Sequence, residues 1–155
     1  MDIMHKEIKA TEPVMPDMED YINEIRSIWD TKILTNNGEK TAKFKEMLAA
    51  YTGGAGLDLF VNGHTALMIG IQAMELKGEV ITSPFTFVST TNAIIQNGLT
   101  PVFGDIDESY NLSPVSIERL ITDRTCAIVT PHIFGIPCDV EKIGEIAEEY
   151  HLKVI

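Results

Sequence analysis

Apolar positions recur at helical spacing in the first third of the chain, then alternate between short strand-like and helix-like runs. Residues 1–16 show no clear period and carry Pro13 and Pro16, which reads as an extended arm. Pro16 is expected to open a helix: Asp17, Glu19 and Asp20 place negative charge in its first turn, where the helix dipole favours it. Tyr21, Ile22, Ile25, Ile28 and Trp29 continue at helical spacing. Thr35-Asn36-Asn37-Gly38 is a turn signal. A second helix over residues 39–51 gathers Phe44, Met47 and Leu48 on one face, and Gly53-Gly54-Ala55-Gly56 ends it.

From residue 57 the pattern changes. Strands are expected over residues 57–61, 79–82, 100–103, 125–130 and 152–155, with Pro101 fitting only the beginning of its strand. Helices are expected over residues 65–76, 87–96 and 139–150, the last capped by Asp139. Another starts at Ser113-Pro114, a cap residue with Pro at the first helical position, and continues through Ile117, Leu120 and Ile121. Strand-helix alternation with short connections implies right-handed crossovers, so the fold class is α/β with a mainly parallel sheet sandwiched by helices. Ligands collect in such sheets where strands end and helices begin. That rule singles out Asn62-Gly63-His64-Thr65, Ser83-Pro84-Phe85-Thr86-Phe87 and Pro131-His132-Ile133-Phe134-Gly135.

Composition narrows the function. The 155 residues are enough for one core-bearing domain, and 45% hydrophobic with 23% charged residues is ordinary globular usage, which argues against disorder. A net charge of −11 argues against nucleic acid and anionic membrane surfaces as partners. The N-terminus has no apolar signal core, and no window reaches the roughly 20 apolar residues of a membrane span, so a cytoplasmic protein is expected. Cys126 and Cys138 lack the paired partners of a zinc site and read as structural thiols. Asp105 and Asp107 read as a turn after a strand, with no further ligands to make a metal site. The last apolar run stops at Ile155, inside a strand, where complete domains rarely end; the chain is expected to be part of a longer protein.

Each junction has a chemical and a plain reading. Gly63 would let backbone amides approach an anion at a helix start, with Thr65 adding a hydroxyl and His64 a cationic donor. The plain alternative is a helix entry capped by Asn62. The glycine pattern is neither a dinucleotide fingerprint nor a P-loop. Phe87 is placed either to stack on a planar heterocycle or to pack in the core, whereas Phe85 is expected in the core. His132 comes after a strand and is either a site residue or a solvated histidine.

In order, Thr35-Asn36-Asn37-Gly38, Asn62-Gly63-His64-Thr65-Ala66-Leu67, the run from Gly78 to Thr90 with Thr82-Ser83-Pro84-Phe85-Thr86-Phe87 at its centre, Gly98-Leu99-Thr100-Pro101-Val102-Phe103 and His132-Ile133-Phe134-Gly135-Ile136-Pro137 resemble the DegT/DnrJ/EryC1/StrS family of pyridoxal-phosphate aminotransferases. The resemblance implies part of the large domain of the type I pyridoxal-phosphate fold over residues 17–155, after the arm of residues 1–16. It implies pyridoxal 5'-phosphate as cofactor, a nucleotide-linked keto-sugar and an amino-acid donor as substrates, and a homodimer. Carried over by position, Gly63 and His64 match the phosphate cup, with His in place of the family's usual Thr and Thr65 offering a hydroxyl one position on. Phe87 matches the aromatic that stacks on the pyridine ring, and His132 a histidine near the cofactor's outer face. Thr35, Asn36 and Gly38 match a turn near the sugar site or the dimer contact.

The resemblance also implies catalytic residues further along. In the family, an aspartate that pairs with the pyridinium nitrogen comes after the strand begun by Leu152-Lys153-Val154-Ile155, and the Schiff-base lysine later still. None of the nine lysines here sits in a comparable context, so no catalytic residue is expected in this chain, and it should not turn over alone. Two other readings stay open: a family dehydratase or regulatory member, and a domain without activity that only associates with other chains, as an unfinished sheet edge invites.

Overall fold

A computed structural model describes residues 11–54 and 56–155; the first ten positions of the expected arm lie outside the described residues. Residues 11–17 carry no helix or strand. The chain divides into two compact units, Met1–Asp58 and Leu59–Ile155.

The first unit holds α1 (Met18–Thr31) and α2 (Glu39–Thr52). Pro16 does not open α1. Asp17 is its cap, accepting the Glu19 and Asp20 N–H groups at 2.9 and 3.3 Å, because a free carboxylate satisfies two orphan amides that proline cannot. Asn36 and Asn37 both adopt left-handed backbone, φ 58° and 59°, a conformation asparagine tolerates, so the Thr35–Gly38 signal does form a turn. Gly38 caps α2 through its carbonyl, which accepts Ala42 N–H at 3.1 Å. Glu24 on α1 receives Lys43 and Lys40 of α2 at 2.9 and 3.0 Å; the Lys43 hydrogen bond, then that of Lys40, pull its carboxyl down to about 2. Neither helix has a fully buried residue.

The second unit holds a four-stranded parallel sheet in the order β2-β1-β3-β4, with β1 (Glu79–Thr82), β2 (Thr100–Phe103), β3 (Thr125–Ile128) and β4 (Lys153–Val154). Its helices are α3 (Gly63–Ala73), α4 (Ser89–Gln96), α5 (Pro114–Leu120) and α6 (Val140–Glu149). The α/β sandwich is therefore as expected. Alternation along β1 explains its two-sided burial: Val80 joins Ile71, Ala93, Ile94 and Leu99 of the α3 and α4 side, while Ile81 joins Ile117, Ile143 and Ile146 of the α5 and α6 side.

Several boundaries move, each for a local reason. Residues 57–61 do not form a strand: their alternation shows at Leu57 and Leu59, half-buried between exposed neighbours, but they have no ladder partner among the described residues. The helix expected over 65–76 begins two residues earlier, because Asn62 caps it, and ends at Ala73 before Glu75 turns left-handed, φ 50°. The helix expected to start at Phe87 starts at Ser89, leaving Phe87 on the approach. Ser113 caps α5 and Asp139 caps α6 as their sequence contexts imply, Asp139 accepting Lys142 N–H at 3.1 Å.

Candidate functional site at the carboxyl end of the sheet

The parallel strands β1 and β3 end on the same side, and the loops that leave them meet there. After β1, Thr82 donates its buried hydroxyl to the Val129 carbonyl at 3.1 Å, and Ser83 Oγ accepts Phe85 N–H at 3.0 Å. These bonds fix a tight turn through Pro84 that brings Phe85, Thr86 and Phe87 to the surface. Phe87 is 77% exposed, and its carbonyl accepts Thr90 N–H at 3.1 Å, so its backbone is anchored while its ring is free. Phe85 is not a core residue: at 43% exposed it stands in the same open face, since the turn at Pro84 directs it away from both core clusters.

After β3 the chain runs through Pro131 and His132 into a single 3-10 turn, Ile133–Gly135. His132 is exposed, and its Nδ1 accepts Cys138 N–H at 3.2 Å. In the neutral imidazole this puts the proton on Nε2. Cys138 is buried; desolvation pushes its thiol up, and it donates to the Pro131 carbonyl at 3.3 Å. Residues 84–87 and 131–134 together line an open groove of about 460 Å³. The structure thus brings Phe87 and His132 into one groove.

The start of α3 lies beside the start of α4. Asn62 Oδ1 accepts Thr65 N–H at 2.9 Å, which leaves the Gly63 and His64 amides as the uncapped donors of the first turn. Space beside the Gly63 Cα is open: apart from its chain neighbours and its own helix backbone, no atom lies within 4 Å of where a Cβ would stand. The His64 ring turns to α4, with Nδ1 3.3 Å from the Ser89 carbonyl and Nε2 3.2 Å from Gln96 Oε1. Its imidazole therefore ties the two helices together, and what His64 presents at the helix start is its backbone N–H. Thr35, Asn36 and Gly38 belong to the first unit, in the turn before α2.

Sequence reasoning missed two residues here. Asn111, 1% exposed, holds the loop of residues 131–138, and Tyr110 beside it completes a ring cluster with Phe85 and Phe134, centroids 6.0 to 6.4 Å apart. A polar residue in a polar loop gives no sign of its burial; the one available signal is the spacing of aromatic residues at 85, 110 and 134, which is meaningful only after the fold is known.

Parallel strands ending at helix starts define an α/β protein whose ligand-accessible end is the carboxyl end of the sheet. The chain belongs to the DegT/DnrJ/EryC1/StrS aminotransferase family, matching it over residues 16–155. Members of this family use pyridoxal phosphate. The chain is 43% identical over 151 residues to dTDP-4-amino-4,6-dideoxy-D-glucose transaminase of Escherichia coli, covering 97% of this chain and 41% of that protein. It is 42% identical over 126 residues to the spore coat polysaccharide biosynthesis protein SpsC of Bacillus subtilis, covering 77% and 32%. Among solved structures, DesI in the presence of its TDP-sugar product matches with TM-score 0.83 at 32% identity over 89% of this chain and 36% of that one. NtdA of Bacillus subtilis with bound cofactor PMP matches with TM-score 0.85 at 29% identity, covering 96% and 37%. The chain spans about two fifths of the length of the curated transaminases it matches. Among the described residues no helix is long and apolar enough to cross a membrane.

Proposed function

We propose that residues 17–155 form part of the large domain of a pyridoxal-phosphate-dependent aminotransferase and supply the phosphate-facing and ring-facing side of its cofactor site. The observation that carries this reading is the pair of amides, Gly63 and His64, that the Asn62 cap leaves over at the start of α3, open beside Gly63 and tied through His64 to Ser89 of α4, two residues after the exposed Phe87 ring. The Gly63 and His64 amides bind the phosphate dianion with the helix dipole behind them, and the Thr65 hydroxyl adds a donor. Phe87 covers one face of the pyridine ring. His132, its Nδ1 already engaged, offers Nε2–H to the ligand's polar edge. When bound, pyridoxal phosphate supplies the electron sink that lets an amino group leave one carbon and join another.

For the whole protein we read amination of a nucleotide-linked keto-sugar by an amino-acid donor, in amino-sugar or surface polysaccharide biosynthesis, by a cytoplasmic homodimer. The names of the Escherichia coli transaminase and of DesI support the substrate class. Thr35, Asn36 and Gly38 are proposed for substrate contact. The chain alone does not turn over, because none of its nine lysines stands where the family's Schiff-base lysine does.

Pyridoxamine 5'-phosphate tests the site without reacting with surface lysines, since it has no aldehyde. A fluorescence titration should show binding to the chain, weakened at least about tenfold, or 1.4 kcal/mol, by Phe87→Ala. Pyridoxamine lacking the phosphate should not compete. Equal binding of the two amines, or no effect of Phe87→Ala, would refute the reading.

A further inference from the structure

We propose that Asn111 is the positioning residue of the groove, a buried clamp that fixes His132 and Phe134 by holding the loop of residues 131–138 against the loop of residues 105–112. It rests on the reading of the groove as a cofactor site, in which Asn111 itself touches no ligand.

The clamp is complete. The Asn111 side chain donates from Nδ2 to the carbonyls of Ile136 at 3.1 Å and Pro137 at 3.3 Å, and to Ser109 Oγ at 3.3 Å. Its Oδ1 accepts Ile133 N–H at 2.9 Å. One amide thus grips the 131–138 loop on both sides of Phe134. No apolar residue of this size, and no carboxylate, can donate to two carbonyls and accept an amide at once. The Asn111 backbone also joins its own loop: its carbonyl accepts Asp107 N–H at 2.9 Å.

The backbone on each side is held where few residues rest. Phe134 has φ 54° and Tyr110 φ 66°, left-handed positions that a bulky residue adopts only when its surroundings impose it. The two rings meet each other and Phe85 at the surface, where Phe134 is 81% exposed and Tyr110 53%, so no core packing holds them. The Asn111 bonds lie immediately next to both outliers, at Ile133 and Ile136 around Phe134 and at the residue after Tyr110. The consequence reaches His132 through the chain, because the Cys138 N–H that sets its tautomer lies just past the Pro137 carbonyl that Asn111 holds. Release of the clamp frees the loop to leave its strained form, and the His132–Cys138 bond goes with it.

Imidazole ¹⁵N spectra of the chain, with His132 assigned by His132→Gln, read the tautomer directly. The unaltered chain should show His132 protonated at Nε2 when neutral. Asn111→Ala should move both ring nitrogens toward the averaged shifts of a free imidazole and speed hydrogen exchange at Ile133 at least about tenfold, while Val80 and Ile128 keep their protection. Ile71→Val, a core change in the other cluster on the α3 side of the sheet, should do neither. The clamp is overturned if Asn111→Ala leaves His132 and Ile133 unchanged, or if Ile71→Val reproduces the effect. If Asn111→Ala does not fold, the unaltered chain decides: the Asn111 side-chain amide protons must exchange as slowly as core amides, and free exchange rejects the clamp. Pyridoxamine 5'-phosphate separates this result from the reading beneath it. Failure of that ligand to shift the His132 signals in the unaltered chain removes the cofactor reading and leaves the loop result standing.

Discussion

The two ends of the parallel sheet are built on opposite principles. At the amino end, Gly78 and Glu79 enter β1 against Arg124 and Thr125 at the entry to β3, and the buried carboxylate there is fully partnered. Glu79, 7% exposed, receives Thr122 Oγ1 at 2.8 Å and pairs with the Arg124 guanidinium at 2.5 Å, while its N–H donates to the Arg124 carbonyl at 2.8 Å. At the carboxyl end, rings stand in solvent, Tyr110 and Phe134 hold left-handed backbone, and the Asn62 cap of α3 leaves the Gly63 and His64 amides over. The difference teaches where this fold places stability and where it leaves open space: the closed end ties β1 to β3 across a register shift between Glu79 and Val80, and the open end keeps exposed groups in fixed positions.

The comparison breaks most severely at Gly78. A Cβ there would run into the Arg124 carbonyl oxygen, and the residue has φ 117°, which L side chains rarely adopt. Gly78→Ala must part the starts of β1 and β3, and should cost ~4 kcal/mol or more, seen as a large fall in the urea midpoint. Glu79→Ala comes next. It empties the buried position of Glu79, removes the acceptor of the exposed Thr122 hydroxyl and removes a charge-assisted pair with a largely exposed arginine, an expected loss of about 2 kcal/mol in the same assay. A smaller loss in either variant than in changes at the carboxyl end would reverse the proposed division.

Legibility in the sequence divides along the same line. Strands β1 and β2 can be read to the residue because each is a short apolar run between turn signals, and the caps Ser113 and Asp139 because capping is local chemistry. Residues 57–61 mislead because their period is right but a strand also needs a ladder partner, which period cannot report. At the candidate site, Phe87 and His132 stand out by position after strands, and Gly63 by its place at a helix start. Phe85 reads as core, since hydrophobicity alone cannot show that the Pro84 turn faces it outward. Asn111 is invisible: its importance lies in atoms contributed by residues more than twenty positions away.

Asn62 lies between the two regimes, structural in its bond and placed beside the amides proposed for phosphate. Asn62→Ala removes the acceptor of Thr65 N–H and should cost about 1 kcal/mol, with faster exchange at that amide. Asn62→Asp keeps the cap, so stability should hold within about 0.5 kcal/mol. Its carboxylate, however, stands beside the amides proposed for phosphate and should weaken pyridoxamine 5'-phosphate binding by several-fold. Parallel loss of stability and affinity in the Asp variant would mean that this helix start is only a helix start.

Phe87 should show the smallest effect on folding and thereby define the open end most sharply. Its ring is 77% exposed and belongs to neither core cluster, and the bonds that anchor the junction use backbone atoms and the hydroxyls of Ser83 and Thr82, which Phe87→Ala leaves in place. Deleting the ring should therefore change the unfolding free energy by no more than about 0.5 kcal/mol, in either direction. A protein that keeps an apolar ring in water on an anchored backbone, with no folding benefit from it, is explained if the ring's partner is a ligand. The urea midpoint and the pyridoxamine 5'-phosphate titration of this one variant should thus dissociate: stability unmoved, affinity lost. A destabilisation above about 1 kcal/mol would instead assign Phe87 to packing and leave the groove without its stacking face.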